Sequence, residues 1–94
     1  MGRTHKLKLH INFCDDVLNG IKTFEIREND RGFQTGDLIL FEPFYPHGAT
    51  FEQIRNPHPI KEKMYRIEYI LNGWGMKNGY VCLAIKEYRK NENN

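Results

Sequence analysis

The feature that most constrains the fold of this chain is the alternation of apolar and polar residues in short runs. In residues 5–11 (HKLKLHI), Leu7, Leu9 and Ile11 share one parity, and basic or histidine residues share the other. Successive side chains of a strand point to opposite faces, so this pattern predicts a strand with one buried face. Further strand candidates, separated by segments rich in Gly, Pro, Asn and Asp, occur at 22–27, 38–42, 64–71 and 80–88. The run at 38–42, LILFE, is apolar on both faces and predicts a central strand.

The second run, KTFEIR, predicts which side chains enter the core. Phe24 and Ile26 are the apolar members, so we expect them to point inward. Thr23, Glu25 and Arg27 are then expected on the opposite face of the strand.

The fourth run, MYRIEYIL at 64–71, alternates in the same way. It predicts one shared face for Tyr65, Ile67, Tyr69 and Leu71. The preceding segment, 43–60, contains all four prolines of the chain and is expected to be irregular.

A short helix is predicted between the first two strands. Asn12 is a suitable N-cap, and Gly20 is a suitable residue to end the helix. Phe13, Val17 and Leu18 give it an apolar side. A helix of about two turns is not stable alone, so it must dock on the sheet.

Together these elements predict an α+β fold that is mostly β. We expect a small β-barrel of five to six strands with one or two short helices, because closure removes exposed strand edges. The chain has 94 residues and is expected to form a single domain over 1–94. The ordered part is expected to be about 4–88, followed by a flexible tail at 89–94.

Charge, apolar run length, cysteines and histidines limit which partners and cofactors the chain is expected to have. The net charge of +2 is too small to identify an anionic partner by itself. The longest apolar run is far below the roughly 18 residues of a membrane helix, and no signal peptide is recognisable, so we expect a cytoplasmic protein without membrane association. Cys14 and Cys82 are expected to be reduced. The four histidines lack ligand spacing and no cofactor motif is present, so no metal or cofactor is predicted.

Residues 19–40, NGIKTFEIRENDRGFQTGDLIL, resemble a known family. The matching features are a helix ending in Gly, a Lys, an acidic residue and an Arg on a strand, and a Gly-Asp turn before an apolar strand. They correspond to Gly20, Lys22, Glu25, Arg27, Gly36 and Asp37. The pattern resembles the ASCH domain of the PUA-like superfamily, and in particular the phage and bacterial domain of unknown function family 3850, whose ending is similar to YILNGWGMKNGYVCLAI. The resemblance implies a PUA-like barrel and a role in binding nucleic acid, most often RNA.

Lys22, Glu25 and Arg27 form the predicted site. The planar fork of an arginine held beside a carboxylate suits phosphate or a base edge. A carboxylate accepts hydrogen bonds from a base amino group, and a lysine supplies a point charge for phosphate. The alternative is a solvated surface ion pair, which contributes only about 0–1 kcal/mol.

Four further residues are predicted to contact an RNA or nucleoside ligand. Asn29 and Arg31 follow the second strand and carry hydrogen-bonding side chains, although turn formation also explains them. Tyr45 and Trp74 lie in loops, where aromatic side chains stack on unpaired bases. Packing against the core is the alternative role for both rings.

Two other functions remain open. Some bacterial ASCH proteins hydrolyse N4-acetylcytidine with a Lys, a Thr three residues later and a Glu from a later helical segment. By that resemblance Lys22 and Glu25 would be catalytic, but Glu25 stands at the Thr position, with Thr23 nearby, and NGWGMKNG replaces the later segment. The third function is a phage or bacterial protein-interaction module that uses the 43–60 loop; its protein partner is not predicted.

Overall fold

In a computed structural model, which describes residues 2–89, the chain forms one five-stranded sheet with short helices. The elements are β1 (Thr4–His10), α1 (Ile11–Leu18), β2 (Phe24–Glu28), β3 (Leu38–Phe44), α2 (Phe51–Arg55), a 3₁₀ helix (Pro59–Glu62), β4 (Tyr65–Asn72) and β5 (Tyr80–Glu87). The predicted α+β class with mostly strand is therefore confirmed. Of the predicted flexible tail, residues 90–94 lie outside the described residues.

The sheet is open and does not close into the expected barrel. Its strand order is β1-β3-β4-β5-β2, with β1 parallel to β3 and the other neighbours antiparallel. Within the described residues, β1 and β2 form no backbone ladder with each other and remain the two edges. The helix α1 carries the chain away from β1, which allows β1 to pair in parallel with β3.

Arginine side chains bridge part of the gap between these two edges. In β1, the carbonyls of Lys6 and Lys8 do not face β3, because strand carbonyls alternate in direction. Arg27 Nη2 donates to the Lys8 carbonyl, and Arg31 Nη1 donates to the Lys6 carbonyl at 3.0 Å. Arg3 Nη2 donates to the Arg31 carbonyl at 2.8 Å. We call these contacts the arginine seam; the first two satisfy carbonyls on the free edge of β1.

The core lies where one face of the sheet packs against α1 and the 3₁₀ helix. Burying one large apolar side chain, such as Leu, Ile, Val or Phe, stabilises the folded state by about 1.5–3 kcal/mol. The buried apolar residues are Leu7, Leu9, Cys14, Val17, Phe33, Ile39, Phe41, Ile60, Tyr65, Ile67, Val81, Leu83 and Ile85. Cys14 and Cys82 form no disulfide in the structure. Burial, with the nearby Asp15 and Glu25 charges, raises the pKa of Cys14 to about 11.

The predicted faces of β2 are wrong. Phe24 and Ile26 are 44% and 52% exposed, whereas Glu25 is only 5% exposed. The side chains of Phe24 and Ile26 therefore point outward, and the side chain of Glu25 points inward. A buried carboxylate requires hydrogen-bonding or cationic partners, and Glu25 has two cationic ones, Lys22 and Arg27.

The start of α1 also differs from the prediction. The helix begins at Ile11, and the N-cap is His10, whose Nδ1 accepts from Asn12 N at 3.1 Å. A histidine ring nitrogen replaces the expected Asn12 oxygen as the acceptor. At the other end, Gly20 has a φ of 73°, a conformation that favours glycine.

A bulge changes the second half of β4. The pairing register with β5 shifts between Ile67 and Tyr69. Tyr65 and Ile67 are buried as predicted, but Tyr69 is 63% exposed and Ile70 packs against the core instead. A bulge inserts one residue and so reverses which parity faces inward.

The proline-rich segment contains more structure than expected. It holds α2, which begins with a capping box between Thr50 and Gln53, and the first two residues of the 3₁₀ helix. Ile60 is the fully buried residue of this region and anchors the 3₁₀ helix to the core. Among the helices of residues 2–89, none combines the length and apolarity needed to cross a membrane.

Asp37, in the predicted Gly-Asp turn, is a buried anchor between β1 and β3. Its carboxylate accepts from Arg3 N and Gln34 N at 3.0 Å each, and lies 2.8 Å from His5 Nε2. Burial alone would raise the pKa of Asp37, but the hydrogen bonds from His5, Gln34 and Arg3 outweigh it and hold the pKa below its ordinary value. The turn therefore stabilises the ionised carboxylate and fixes the start of β3.

Candidate functional site

Glu25 brings Lys22 and Arg27 together. One carboxylate oxygen, Oε1, lies 2.5 Å from Lys22 Nζ, and the other, Oε2, lies 3.0 Å from Arg27 Nε. Glu25 and Arg27 are two apart on β2 and so share a face. Lys22 reaches the same face from the turn after α1, where its backbone N donates to the Asp16 carbonyl at 3.0 Å.

The three charged groups are shielded from water to different degrees. The side chains of Glu25, Lys22 and Arg27 are 6%, 16% and 24% exposed. Lys22 Nζ also donates to the Phe24 carbonyl at 2.7 Å. This cluster is therefore not the solvated surface ion pair considered as the alternative, and electrostatic interactions within it are stronger than in water.

The cluster lies in the wall of a cavity of about 600 Å³, which we call the Glu25 cavity. Aromatic and imidazole rings accompany the charged groups, and Lys22 Nζ stands 4.8 Å from the ring centre of Phe24 and 5.2 Å from that of Phe13. These are cation–π distances, so the two rings help to hold the ammonium group. The lining residues are Leu9, His10, Phe13, Lys22, Phe24, Glu25, Ile26, Arg27, Glu28 and Tyr80.

The charged groups retain hydrogen-bonding capacity after these contacts. A carboxylate has about four acceptor positions, and Lys22 and Arg27 occupy two of those on Glu25. Arg27 uses Nε and one Nη2 proton of its five N–H donors, and Lys22 uses two of its three. The cavity can therefore offer an acceptor and donors to a planar polar ligand beside apolar ring faces.

The other predicted contact residues lie elsewhere. Asn29 Oδ1 accepts from Phe33 N at 3.0 Å and forms the turn after β2. Arg31 belongs to the arginine seam. Neither residue lines the Glu25 cavity, although Asn29 lines a neighbouring one.

The two loop aromatics are also outside the Glu25 cavity. Tyr45 is half-buried, and its carbonyl accepts from Gly48 N at 2.9 Å in a turn. Trp74 is 86% exposed and has a φ of 30°, so it does not pack on the core.

Sequence reasoning missed the rings that do line the cavity. Apolar periodicity predicts that Phe13 and Phe24 pack in the core, and it places His10 on the polar face of a strand. Tyr80 comes from β5, and only the pairing of Glu28 with Tyr80 brings it to the site. Local sequence patterns do not contain that register.

Potential metal ligands do not cluster in the described part of the chain. Within residues 2–89, no group of three or more His, Cys, Asp or Glu side chains is arranged to hold a metal ion.

Comparisons with known proteins identify the family. Residues 4–85 match the family described as Domain of unknown function (DUF3850). Over 43 residues the chain is also 46% identical to an "Uncharacterized 12.9 kDa protein in GpA 3'region" of Escherichia phage P2. That alignment covers 45% of this chain and 39% of the phage protein, so the chain spans well under two thirds of that relative's length. Because the family match covers most of the sequence, the chain belongs to the DUF3850 family.

Proposed function

We propose that this protein binds RNA by taking one unpaired nucleobase into the Glu25 cavity. The observation that carries the proposal is the nearly buried carboxylate of Glu25, held by Lys22 and Arg27 in a cavity with exposed aromatic rings. The resemblance of this region to the ASCH domain of the PUA-like superfamily supports the same ligand class.

The size and lining of the cavity fit a base. A volume of about 600 Å³ lies within the range of roughly 300–1,000 Å³ that is typical of small-molecule sites. Phe24, Phe13 and Tyr80 present ring surfaces, and stacking on such rings contributes about 1–3 kcal/mol per base. Unpaired RNA is recognised mainly in this way, because splayed bases expose both their faces and their edges.

The charges define which base edge is favoured. Glu25 is an acceptor, so it selects a base edge that donates, such as the exocyclic amino group of cytosine or adenine. Lys22 and Arg27 supply donors for a base carbonyl or a backbone phosphate. Glu25 would repel phosphate, so we place the base, and not the phosphate, beside it.

The binding test removes an aromatic ring of the cavity and not a charged group. Phe13 and Phe24 are suitable positions, because they are 45% and 44% exposed and contribute little to the core. Fluorescence anisotropy with single-stranded RNA is measured for Phe24→Ala and for Phe51→Ala, a 76% exposed aromatic on α2 outside the Glu25 cavity. We expect Phe24→Ala to weaken binding by about 5- to 150-fold, the equivalent of about 1–3 kcal/mol. We expect Phe51→Ala to have no effect.

Three results would overturn the proposal. One is the absence of binding to any RNA of a mixed-sequence pool, and another is an equal loss in the Phe24 and Phe51 variants. The third is turnover of N4-acetylcytidine by the pure protein that is abolished by Lys22→Ala, which would identify the enzyme alternative instead.

A further inference from the structure

A second cavity, of about 470 Å³, adjoins the Glu25 cavity at the β4–β5 turn. Side-chain amides and one lysine dominate its polar lining, and no acidic residue is present among the described residues that form it. We call it the Lys77 cavity. Its lining residues are Asn29, Asn72, Gly73, Met76, Lys77, Asn78, Gly79, Tyr80 and Val81.

Tyr80 connects the two cavities, because it lines both. On the opposite strand, Glu28 lines the Glu25 cavity and the next residue, Asn29, lines the Lys77 cavity. Lys77 Nζ lies 5.5 Å from the centre of the Tyr80 ring, a cation–π distance. The lysine charge therefore lies close to the ring that the two cavities share. A ligand that stacks on Tyr80 in one cavity therefore extends toward a cation in the other.

The walls of the Lys77 cavity are held in place by backbone hydrogen bonds. Gly79 O accepts from Asn29 N at 2.8 Å, which ties the turn to the end of β2. Within the turn, Tyr80 N donates to Lys77 O at 2.9 Å. A Cβ added to Gly79 would meet nothing within 4 Å, so the backbone there is open to a ligand.

The two cavities differ in charge in a way that matches the parts of a polynucleotide. The Glu25 cavity contains a carboxylate and apolar rings, which favour a base and disfavour phosphate. The Lys77 cavity contains a cation and neutral amide groups, which favour phosphate and sugar hydroxyls. We propose that the Lys77 cavity binds the phosphodiester and sugar that adjoin the base in the Glu25 cavity, so that the ligand is a segment of chain and not a free nucleoside.

This inference rests on the proposed function, since it assigns a neighbour to the base in the Glu25 cavity. It is tested by isothermal titration calorimetry with the four ribonucleosides, their 3′- and 5′-monophosphates, and the dinucleotides ApA, CpC, GpG and UpU. The variants are Lys77→Ala and Lys77→Glu, with Lys6→Ala as the matched control. Lys6 is an exposed lysine on β1 and lines neither cavity, so its loss removes the same charge without touching the site.

We expect the best dinucleotide to bind at least about tenfold more tightly than its nucleoside. Lys77→Ala should remove most of that advantage, leave nucleoside affinity within about twofold, and reduce the slope of log affinity against log salt by about 1. Lys77→Glu should bind the dinucleotide more weakly than Lys77→Ala does. Lys6→Ala should leave nucleoside and dinucleotide affinities unchanged apart from a small effect of net charge.

The outcomes separate the two proposals. If nucleosides bind, and neither the dinucleotides nor the monophosphates bind more tightly than the nucleosides, the inference is wrong and the proposed function stands. An equal loss of nucleoside and dinucleotide affinity in Lys77→Ala also refutes it, because the lysine would then act on the base or on the fold. Circular dichroism of each variant identifies the latter case. If no nucleoside, monophosphate or oligonucleotide binds, the proposed function itself fails, and the inference fails with it.

Discussion

Replacing Glu25 with glutamine tests whether the charged cluster is a buried structural unit. The substitution Glu25→Gln keeps the shape of the side chain and one acceptor oxygen, but it removes the charge that faces Lys22 and Arg27. Breaking a buried ion pair by removing one partner costs about 3–5 kcal/mol, because the remaining charge is left uncompensated. Since one acceptor survives and both cations are partly exposed, we expect Glu25→Gln to lower the free energy of unfolding by about 3 kcal/mol.

The assay is thermal unfolding followed by circular dichroism. For a domain of this size, 1 kcal/mol corresponds to about 4–8 °C in Tm, so a loss of 3 kcal/mol predicts a decrease of about 12–24 °C. Glu28→Gln is the control, because it removes an exposed carboxylate from the same strand. Its effect should stay within about 0.5 kcal/mol.

A double-mutant cycle isolates the pairwise interaction between Glu25 and Lys22. Lys22→Met keeps an unbranched side chain and removes the charge. If the ion pair stabilises the fold, the double variant Lys22→Met/Glu25→Gln loses less free energy of unfolding than the sum of the losses in the two single variants. The expected difference is about 0.5–3 kcal/mol. Additive effects, or a Glu25→Gln decrease no larger than that of Glu28→Gln, would show that the cluster does not contribute as the geometry indicates.

Two further predictions concern other buried polar groups. The pKa of Asp37 is lower in the folded protein than its ordinary value of 3.8, so its stabilising effect is complete above that value and is lost as the pH falls through the lower folded pKa; urea unfolding between pH 5 and pH 2 should therefore show a smaller loss of stability in Asp37→Asn than in the wild type. The hydroxyl of Tyr65 is buried without a hydrogen-bond partner in the described structure, and burial, with the Glu87 and Cys14 charges, raises the pKa of Tyr65 to about 12. Since an unsatisfied hydroxyl costs about 1–3 kcal/mol, Tyr65→Phe should maintain or raise the Tm, and a decrease of several degrees would reveal a partner for the hydroxyl.

The sequence predicted the strands well and the orientation of β2 badly. Strands are predictable in this chain because alternation and short apolar runs are local properties of four to eight residues. In β2 the same rule failed, because Phe24 and Ile26 line a cavity while the inward position holds Glu25. A rule that sends apolar residues inward does not anticipate a buried charge, which is stable only through partners such as Lys22.

The three residues at the centre of the predicted site lie together, and they were selected for a different reason. The family resemblance selected Lys22, Glu25 and Arg27, and the structure places all three in one cavity. The rings that complete it depend on long-range pairing, as Tyr80 reaches the site only through its register with Glu28. Such contacts between distant residues are not encoded in the composition or periodicity of any single segment.

Arg27 links the candidate site to the gap between the two sheet edges. One of its groups, Nε, contacts Glu25 in the cavity, and another, Nη2, contacts the Lys8 carbonyl across the gap between the sheet edges. Loss of Arg27 therefore removes a partner of the buried carboxylate and a contact of the arginine seam at once. Reduced RNA binding by Arg27→Ala would not distinguish a lost ligand contact from a loosened sheet edge. Phe24 is the better position for measuring binding, because its ring borders the cavity and is 44% exposed. Since that ring also lies beside the Lys22 ammonium group, the fold of Phe24→Ala is checked by circular dichroism.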